Sequence, residues 1–302
     1  MGFEYYEPTT LDEALDLLAQ EGEAGAALAG GTDLLLRIRR HIRAYRSVIN
    51  IKHVPGLEGA TWDRNTGLRL GAITTFRAIE LNPTVVTQYP ALAEGARVVA
   101  GVQLRNLATI GGNLGNGSPS ADSLPPLVAL GASITIESKT NPRTLLVEEC
   151  LTGPGRTVLS PGEIFSSIQI PVPAARNGNG YERFSPRSAM DIGIASVAAS
   201  VTLSADGRCE DARIALGAVS PVPLRAIAAE DAMRGEPMTD SLIDHAAHLA
   251  SEAAQPISDL RGSADYRRAI IGVLTRRMLH TAWQRAGAPT PQPVPSANGH
   301  RA

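Results

Sequence analysis

The chain is 302 residues long, enough for two domains and a sizeable buried core. It is 43% hydrophobic and nearly charge-balanced, with 28 Lys and Arg against 30 Asp and Glu, which argues against a nucleic-acid-binding protein and its basic excess. No run approaches the roughly 18 consecutive apolar residues of a membrane span, and the opening MGFEYYEPTT has no basic region followed by an apolar one, so a cytoplasmic location is expected.

Taken in order, Thr10-Leu11-Asp12-Glu13 is a capping-box pattern, and Leu11, Ala14, Leu15 and Leu18 continue it at helical spacing. This first helix is predicted to end near Glu21-Gly22. Small apolar residues, Ala26 to Ala29, read as a strand running into AGGTD at 29–33. A second helix is predicted over 32–40, with Thr32 or Asp33 near its N-cap and Arg37, Arg39 and Arg40 toward its C-terminal end. A strand over 48–51 completes a small β-α-β unit, residues 1–55, with the glycine turn at its centre.

The next unit, 56–175, holds a strand at 68–70, a short helix at 75–80 stopped by Asn82-Pro83, and a helical stretch at 91–99. The glycine-rich stretch TIGGNLGNGSPSAD follows at 109–122 and reads as a turn. An apolar stretch at 124–130 comes next, then strands over 133–137 and within 161–171, the latter with Ile164, Ile168 and Ile170 as apolar positions. PVPAARNGNG at 171–180 carries a linker signal.

Beyond the linker, strands over 196–203 and 212–219 are joined by a turn at Asp206-Gly207. Helices are predicted over 226–233, 241–254 and 263 to about 285. On the last, Tyr266, Ile270, Val273 and Leu274 share a face, which predicts Tyr266 in core or interdomain packing and leaves Arg267 and Arg268 as candidates for subunit contacts. The tail, 287–302, is rich in Pro, Gly and Ala and is expected to be disordered. The expected domains are therefore 1–175 and 178–286.

Glycine lets a backbone approach an anion closely at unusual dihedrals, so that amides converge on it. AGGTD before a helix satisfies this, with the helix N-terminus adding partial positive charge. One such turn is equally consistent with a strand-to-helix connection that binds nothing. Two turns of matching type point to one phosphate-bearing ligand gripped from two sides.

The common nucleotide motifs fail when tested. After Gly115 and Gly117, position 120 is Ser120, so G-x-G-x-x-G is absent. The chain has only two lysines, Lys52 and Lys139, and neither stands in a Gly-Lys-Ser/Thr loop. No G-x-S-x-G elbow occurs. Two scattered cysteines, Cys150 and Cys209, are too few for a cluster or zinc motif. His245 and His248 lack a third ligand and read as a solvated helix face.

Three stretches together resemble the signatures of one family: AGGTDLLL at 29–36, TIGGN at 109–113 with SPSAD at 118–122, and GSADYRR at 262–268. The family is the FAD-binding medium subunit of the molybdenum hydroxylases, as in carbon monoxide dehydrogenase and the bacterial xanthine dehydrogenases. The resemblance runs from residue 3 to about 285. It implies an α+β fold, with a two-part PCMH-type (vanillyl-alcohol-oxidase-like) FAD-binding domain. A smaller α+β C-terminal domain like that of the carbon monoxide dehydrogenase flavoprotein would follow.

By that resemblance, Ala29, Gly30, Gly31, Thr32 and Asp33, with Leu34 after them, match a first pyrophosphate-binding loop. Thr109, Ile110, Gly111, Gly112 and Asn113 match a second. Asp122 matches a carboxylate that hydrogen-bonds the cofactor, and Ile164 a position whose backbone lies near the flavin. A cation just before Asp191-Ile192-Gly193 would face the flavin's N1/O2 edge and favour its reduced anion. Arg187 is the match, and Arg183 competes for the role. No catalytic acid, base or nucleophile is expected in this chain, and no metal.

The resemblance also implies partners: a molybdopterin-bearing large subunit, a small subunit with [2Fe–2S] clusters, and assembly as a dimer of heterotrimers. Electrons would reach FAD from the clusters and pass to NAD, a quinone or oxygen. Cys150 and Cys209 alone rule out the branch that carries its own cluster insertion. Two alternatives stay open: a stand-alone FAD oxidase of the same fold, and a scaffold that has lost its flavin.

Overall fold

The computed structural model describes residues 2–187 and 190–287; the tail expected to be disordered lies, from 288 on, outside the described residues. The first unit runs β1 (Glu4–Tyr6), α1 (Leu11–Glu21), β2 (Gly25–Leu28), α2 (Leu34–Arg39), β3 (Ser47–Asn50). Its three strands are parallel in the order β1-β3-β2. The sequence predicted β2 and β3 but not β1, a three-residue edge strand of largely exposed residues. SVIN of β3 is buried throughout, as a central strand covered on both faces must be. Ala14, Leu15 and Leu18 of α1 pack against Ile49 and Ile51 beneath it. Thr10 caps α1 through the Glu13 amide at 3.2 Å, but the Glu13 carboxylate reaches back to the Thr9 amide, one residue earlier than a capping box requires.

The second unit runs β4 (Ala60–Asp63), β5 (Gly67–Gly71), α3 (Phe76–Leu81), α4 (Pro83–Gln88), α5 (Pro90–Val98), α6 (Val102–Arg105), α7 (Ile110–Asn116), α8 (Leu124–Ala129). It continues through β6 (Ser133–Glu137), β7 (Arg143–Leu146), β8 (Leu151–Gly153), β9 (Arg156–Thr157) and β10 (Ile164–Ile170). An antiparallel sheet ordered β4-β5-β10-β6-β7 forms the frame, with β10 at its centre. Helices α3, α5, α7 and α8 contribute Phe76, Ile79, Leu92, Ile110, Leu114 and Leu127 to the core behind it. The stretch expected to be a turn, TIGGN, is instead the first part of α7. Thr109 caps it by accepting from the Gly112 amide at 3.2 Å, and Gly117 ends it in the left-handed region at φ +64.

The last unit is β11 (Asn177–Phe184), β12 (Ala195–Leu203), β13 (Cys209–Gly217), β14 (Leu224–Arg225), α9 (Ile227–Met233), α10 (Asp240–Ala253) and α11 (Ala264–Gly287). Its sheet is antiparallel in chain order. The linker signal at 171–180 was partly misleading, because β11 already starts at Asn177 and pairs along eight residues with β12. Alternation along β12 divides two cores. Val197, Ala199 and Val201 face α10 and α11, whereas Ala198, with Ala215 of β13 and Tyr181 of β11, joins the core of the second unit.

The buried face of α11 is offset by one residue from the expected one. Arg267, Ile271, Leu274, Met278 and Ala282 point inward, while Tyr266 is 45% exposed and only its ring edge meets Phe184, centroids 6.1 Å apart. Arg267 is therefore no surface contact: its side chain is 5% exposed and pairs with Asp259 at 2.6 Å.

Candidate functional site

The two glycine-rich stretches wall one cleft of about 840 Å³, toward the upper end of the roughly 300–1,000 Å³ usual for ligand sites. β2 ends at Leu28, and the chain turns through Ala29–Asp33 into α2, with Gly31 at φ +76. A Cβ on Gly30 would lie 2.2 Å from the Leu107 carbonyl oxygen. The first turn thus rests directly on the backbone that leads into α7.

α7 is held from the opposite side. The Ile110 amide donates to the Thr74 carbonyl at 3.0 Å and the Gly111 amide to the Ala72 carbonyl at 2.7 Å. A Cβ on Gly111 would come within 2.6 Å of the Ala72 Cβ, whereas one on Gly115 would meet nothing within 4 Å. The third wall is the segment 159–165 leading into β10, facing Leu18 and Gly22.

Of the residues singled out in the sequence, Ala29 to Leu34, Thr109, Gly111, Gly112, Asn113 and Ile164 all line this cleft. Ile110 does not; its side chain is fully buried in the core. Asp122 and Arg187 are not among the lining residues either.

The hydrogen-bonding capacity of the two turns differs. The amides of Gly31, Thr32, Asp33 and Leu34 donate to no protein acceptor among the described residues. Those of Ile110, Gly111 and Gly112 are already taken, by Thr74, Ala72 and Thr109. α2 and α7 are only 6 and 7 residues long, so free amides rather than helix dipoles are what the first turn offers an anion.

Charged groups at the lining are few: Glu23, Asp33, Arg37, Arg43 and Glu163. Glu163 is neutralised by a bidentate pair with Arg143, whose hydrogen bonds hold its carboxyl below the usual range. Arg37 donates from Nη2 to Asn116 Oδ1, joining α2 to α7. Sequence reasoning used Arg37 only as a helix-end cation and passed over Asn116. Its position one turn after Asp33, on the same helix face, was the available signal. Asn113, in turn, accepts from Ser123 Oγ at 2.7 Å, which ties the cleft wall to the segment 118–123.

Asp122 belongs to a second, buried cluster. It accepts from Tyr181 Oη at 2.6 Å and from Arg183 Nη1 at 2.7 Å. Burial pushes its carboxyl up to about 6 against the opposing pull of Arg183, and drives the Tyr181 phenol well above its ordinary value. Arg183 Nη2 is buried with no acceptor. The same residue lines a cavity of about 320 Å³ between α5 and β11. Arg187 differs sharply: its side chain is 75% exposed and bonds only locally, to Asp191. His245 and His248 are exposed on α10, and no group of three or more metal-ligating side chains occurs among the described residues. No described helix is long and apolar enough to cross a membrane.

Comparison with known proteins covers most of the chain. The family described as the FAD-binding domain in molybdopterin dehydrogenase matches residues 1–173, and the carbon monoxide dehydrogenase flavoprotein C-terminal domain matches 181–282. The xanthine dehydrogenase FAD-binding subunit of Escherichia coli O157:H7 is 32% identical over 94% of this chain and 97% of its own. The carbon monoxide dehydrogenase medium chain of Hydrogenophaga pseudoflava is 31% identical over 94% and 98%. Among solved structures, a carbon monoxide dehydrogenase from that organism superposes with a TM-score of 0.90 at 34% identity, covering 94% of this chain and 98% of its own. Quinoline 2-oxidoreductase from Pseudomonas putida 86 gives 0.87 at 30% identity, covering 95% and 98%.

Proposed function

The chain belongs to the FAD-binding subunits of the molybdenum hydroxylases, the carbon monoxide and xanthine dehydrogenase family, and from that premise we propose that it is the electron-transfer flavoprotein of such a complex. The observation that carries the assignment is the pairing of the two glycine turns around one cleft, with four consecutive free amides at 31–34. Neutral donors of this kind hold a diphosphate without a lysine. Gly112 and Gly115 leave the facing wall bare enough for close approach, and Asn113 adds an amide side chain fixed by Ser123. Bound there, FAD would supply the redox chemistry, which fits a lining without Cys, His or Lys among the described residues.

Toward the flavin end we assign the cationic role to Arg183 rather than Arg187. Arg183 is buried, its plane is set by Asp122, and it keeps one donor unmatched. A solvated arginine such as Arg187 is too screened to tune a cofactor strongly. Asp122 acts in this reading through Arg183, holding its guanidinium against Tyr181.

The complex we infer includes a molybdopterin-bearing large subunit, where the substrate is hydroxylated, and a [2Fe–2S] small subunit that delivers the electrons. They would leave through this chain to NAD, a quinone or oxygen, and the assembly would be a dimer of heterotrimers. Purified protein should carry visible flavin absorbance and release FAD on denaturation. A colourless protein that takes up no added FAD would refute the proposal. Co-purification with molybdenum and iron–sulfur chains tests the assembly separately.

A further inference from the structure

Arg37 and Asn116 come from opposite walls of the cleft and meet. α2 carries Arg37 one turn beyond Asp33, and α7 carries Asn116 at its last position. The bond from Arg37 Nη2 to Asn116 Oδ1 is partly buried and links residues 79 apart in sequence. Both residues line the cleft, together with the glycine turns.

The other lining cation, Arg43, is held against its own side of the cleft, by Glu23 and Tyr45, and does not reach across it. Its Nη2 donates to the Glu23 carbonyl at 3.2 Å, and its guanidinium lies 5.1 Å from the Tyr45 ring. Arg37 forms no ion pair with a carboxylate among the described residues, and its hydrogen bond to Asn116 engages only one end of the guanidinium. A guanidinium presents five donors in a planar fork. An asparagine partner fixes that plane while leaving the positive charge uncancelled, which an aspartate at 116 would not do. Asp33 lies on the same cleft lining, and its carboxylate would repel an anion brought to the free amides of 31–34. A cation one helical turn away offsets that repulsion.

We propose that Arg37, oriented by Asn116, donates to the diphosphate of the bound dinucleotide and supplies the charged part of a site whose other donors are neutral. The proposal rests on the FAD reading above and adds a specific ligand to it. Arg37 would be a binding residue, and Asn116 a positioning residue that acts through it.

The test is titration of the full-length, flavin-stripped protein with FAD, for wild type, R37M, R37K, N116A and the double variant R37M/N116A. R37M should weaken FAD binding about tenfold to a hundredfold at low salt, the worth of a charge-assisted hydrogen bond. That factor should narrow as ionic strength rises to about 0.5 M, because screening acts on charge and not on packing. R37K should recover part of the loss. N116A should lose less than R37M, and the double variant should be no worse than R37M alone, since the two act as one unit. ADP, which carries the diphosphate without the flavin ring, should compete with FAD and lose affinity in R37M by a similar factor.

Wild-type affinity in R37M at low salt, or a loss unchanged by salt, would overturn the assignment. If R37M does not fold, R37Q, which also removes the charge, decides it by the same salt comparison. A wild-type protein that binds no FAD at all would bring down the flavoprotein reading itself, an outcome distinct from normal binding by R37M.

Discussion

Gly111 and Gly115 lie four residues apart on α7 and answer to different constraints. Gly111 is glycine because the Ala72 backbone and Cβ occupy the space where a side chain would go, at 2.6–2.7 Å. Gly115 has open space at that position and lies on the cleft, so nothing within the protein demands glycine there. A ligand surface close against α7 would demand it. Gly111→Ala should therefore destabilise the fold by about 1–3 kcal/mol through overpacking, seen as a lower urea midpoint. Gly115→Val should fold with a midpoint close to wild type yet lose FAD affinity by tenfold or more. If Gly115→Val binds FAD normally, the outer face of α7 does not touch the cofactor. Gly30 falls with Gly111, since the Leu107 carbonyl blocks it at 2.2 Å. Within the pattern the two turns share, Gly30 and Gly111 are thus fixed by packing inside the protein.

At the level of elements, α11 shows how a sequence signature can act away from the cleft. In GSADYRR, Arg267 is buried beneath the C-terminal sheet. Its Nη2 bonds Asp259 at 2.6 Å, and its Nη1 lies 3.4 Å from the Ile194 carbonyl and 3.5 Å from that of Ala218. Ala218 sits in the left-handed region at φ +63 and donates its amide to the Pro119 carbonyl at 2.9 Å. The last helix thereby steadies SPSAD from the other domain. Arg267→Leu, which leaves Asp259 without its arginine and the carbonyls without a donor, should cost on the order of 3 kcal/mol. Arg268→Ala, one residue on and half-buried, loses bonds to the Ala254 carbonyl and to exposed Asp265 and should cost less, about 1 kcal/mol. Urea midpoints of the two variants check this, and equal effects would refute it. The inward turn of Arg267 was not legible in the sequence, because a charged residue is read as solvent-facing until its buried partners are known. Glycine turns and their order along the chain were legible, since turn chemistry is local. That TIGGN begins a helix was not: two glycines oppose one, and bonds to Thr74 and Ala72, some 35–40 residues earlier in the chain, outweigh that local preference. β1 and β4, short edge strands with mostly polar or half-exposed residues, left too little periodicity to find.

Across the whole molecule, the C-terminal sheet serves two cores at once. Val197, Ala199 and Val201 pack under α10 and α11, while Tyr181, Ala198 and Ala215 complete the core that backs α7 and α8. The seam is also closed by specific polar contacts. Asn179 accepts from the Ala91 amide at 2.9 Å, and Glu94 accepts from the Tyr181 amide and from Arg285, both at 2.7 Å. At Gly217 a Cβ would stand 2.7 Å from Pro125, so the two units approach as closely as layers of one interior. A seam of this kind couples their unfolding, unlike the small polar contacts that usually join independent domains. The two tryptophans, one in each unit, make the coupling measurable. Trp62 packs against the first core and Trp283 against the second. In W283F only Trp62 reports, and in W62F only Trp283. The two fluorescence transitions in urea should coincide in midpoint and slope once each is corrected for the variant's own stability by far-UV circular dichroism. If Trp283 changes at distinctly lower urea than Trp62, the C-terminal unit opens on its own and cannot be holding SPSAD. Coincident transitions would mean that a lesion such as Arg267→Leu, far from the glycine turns, lowers the stability of the cleft and of its own domain together.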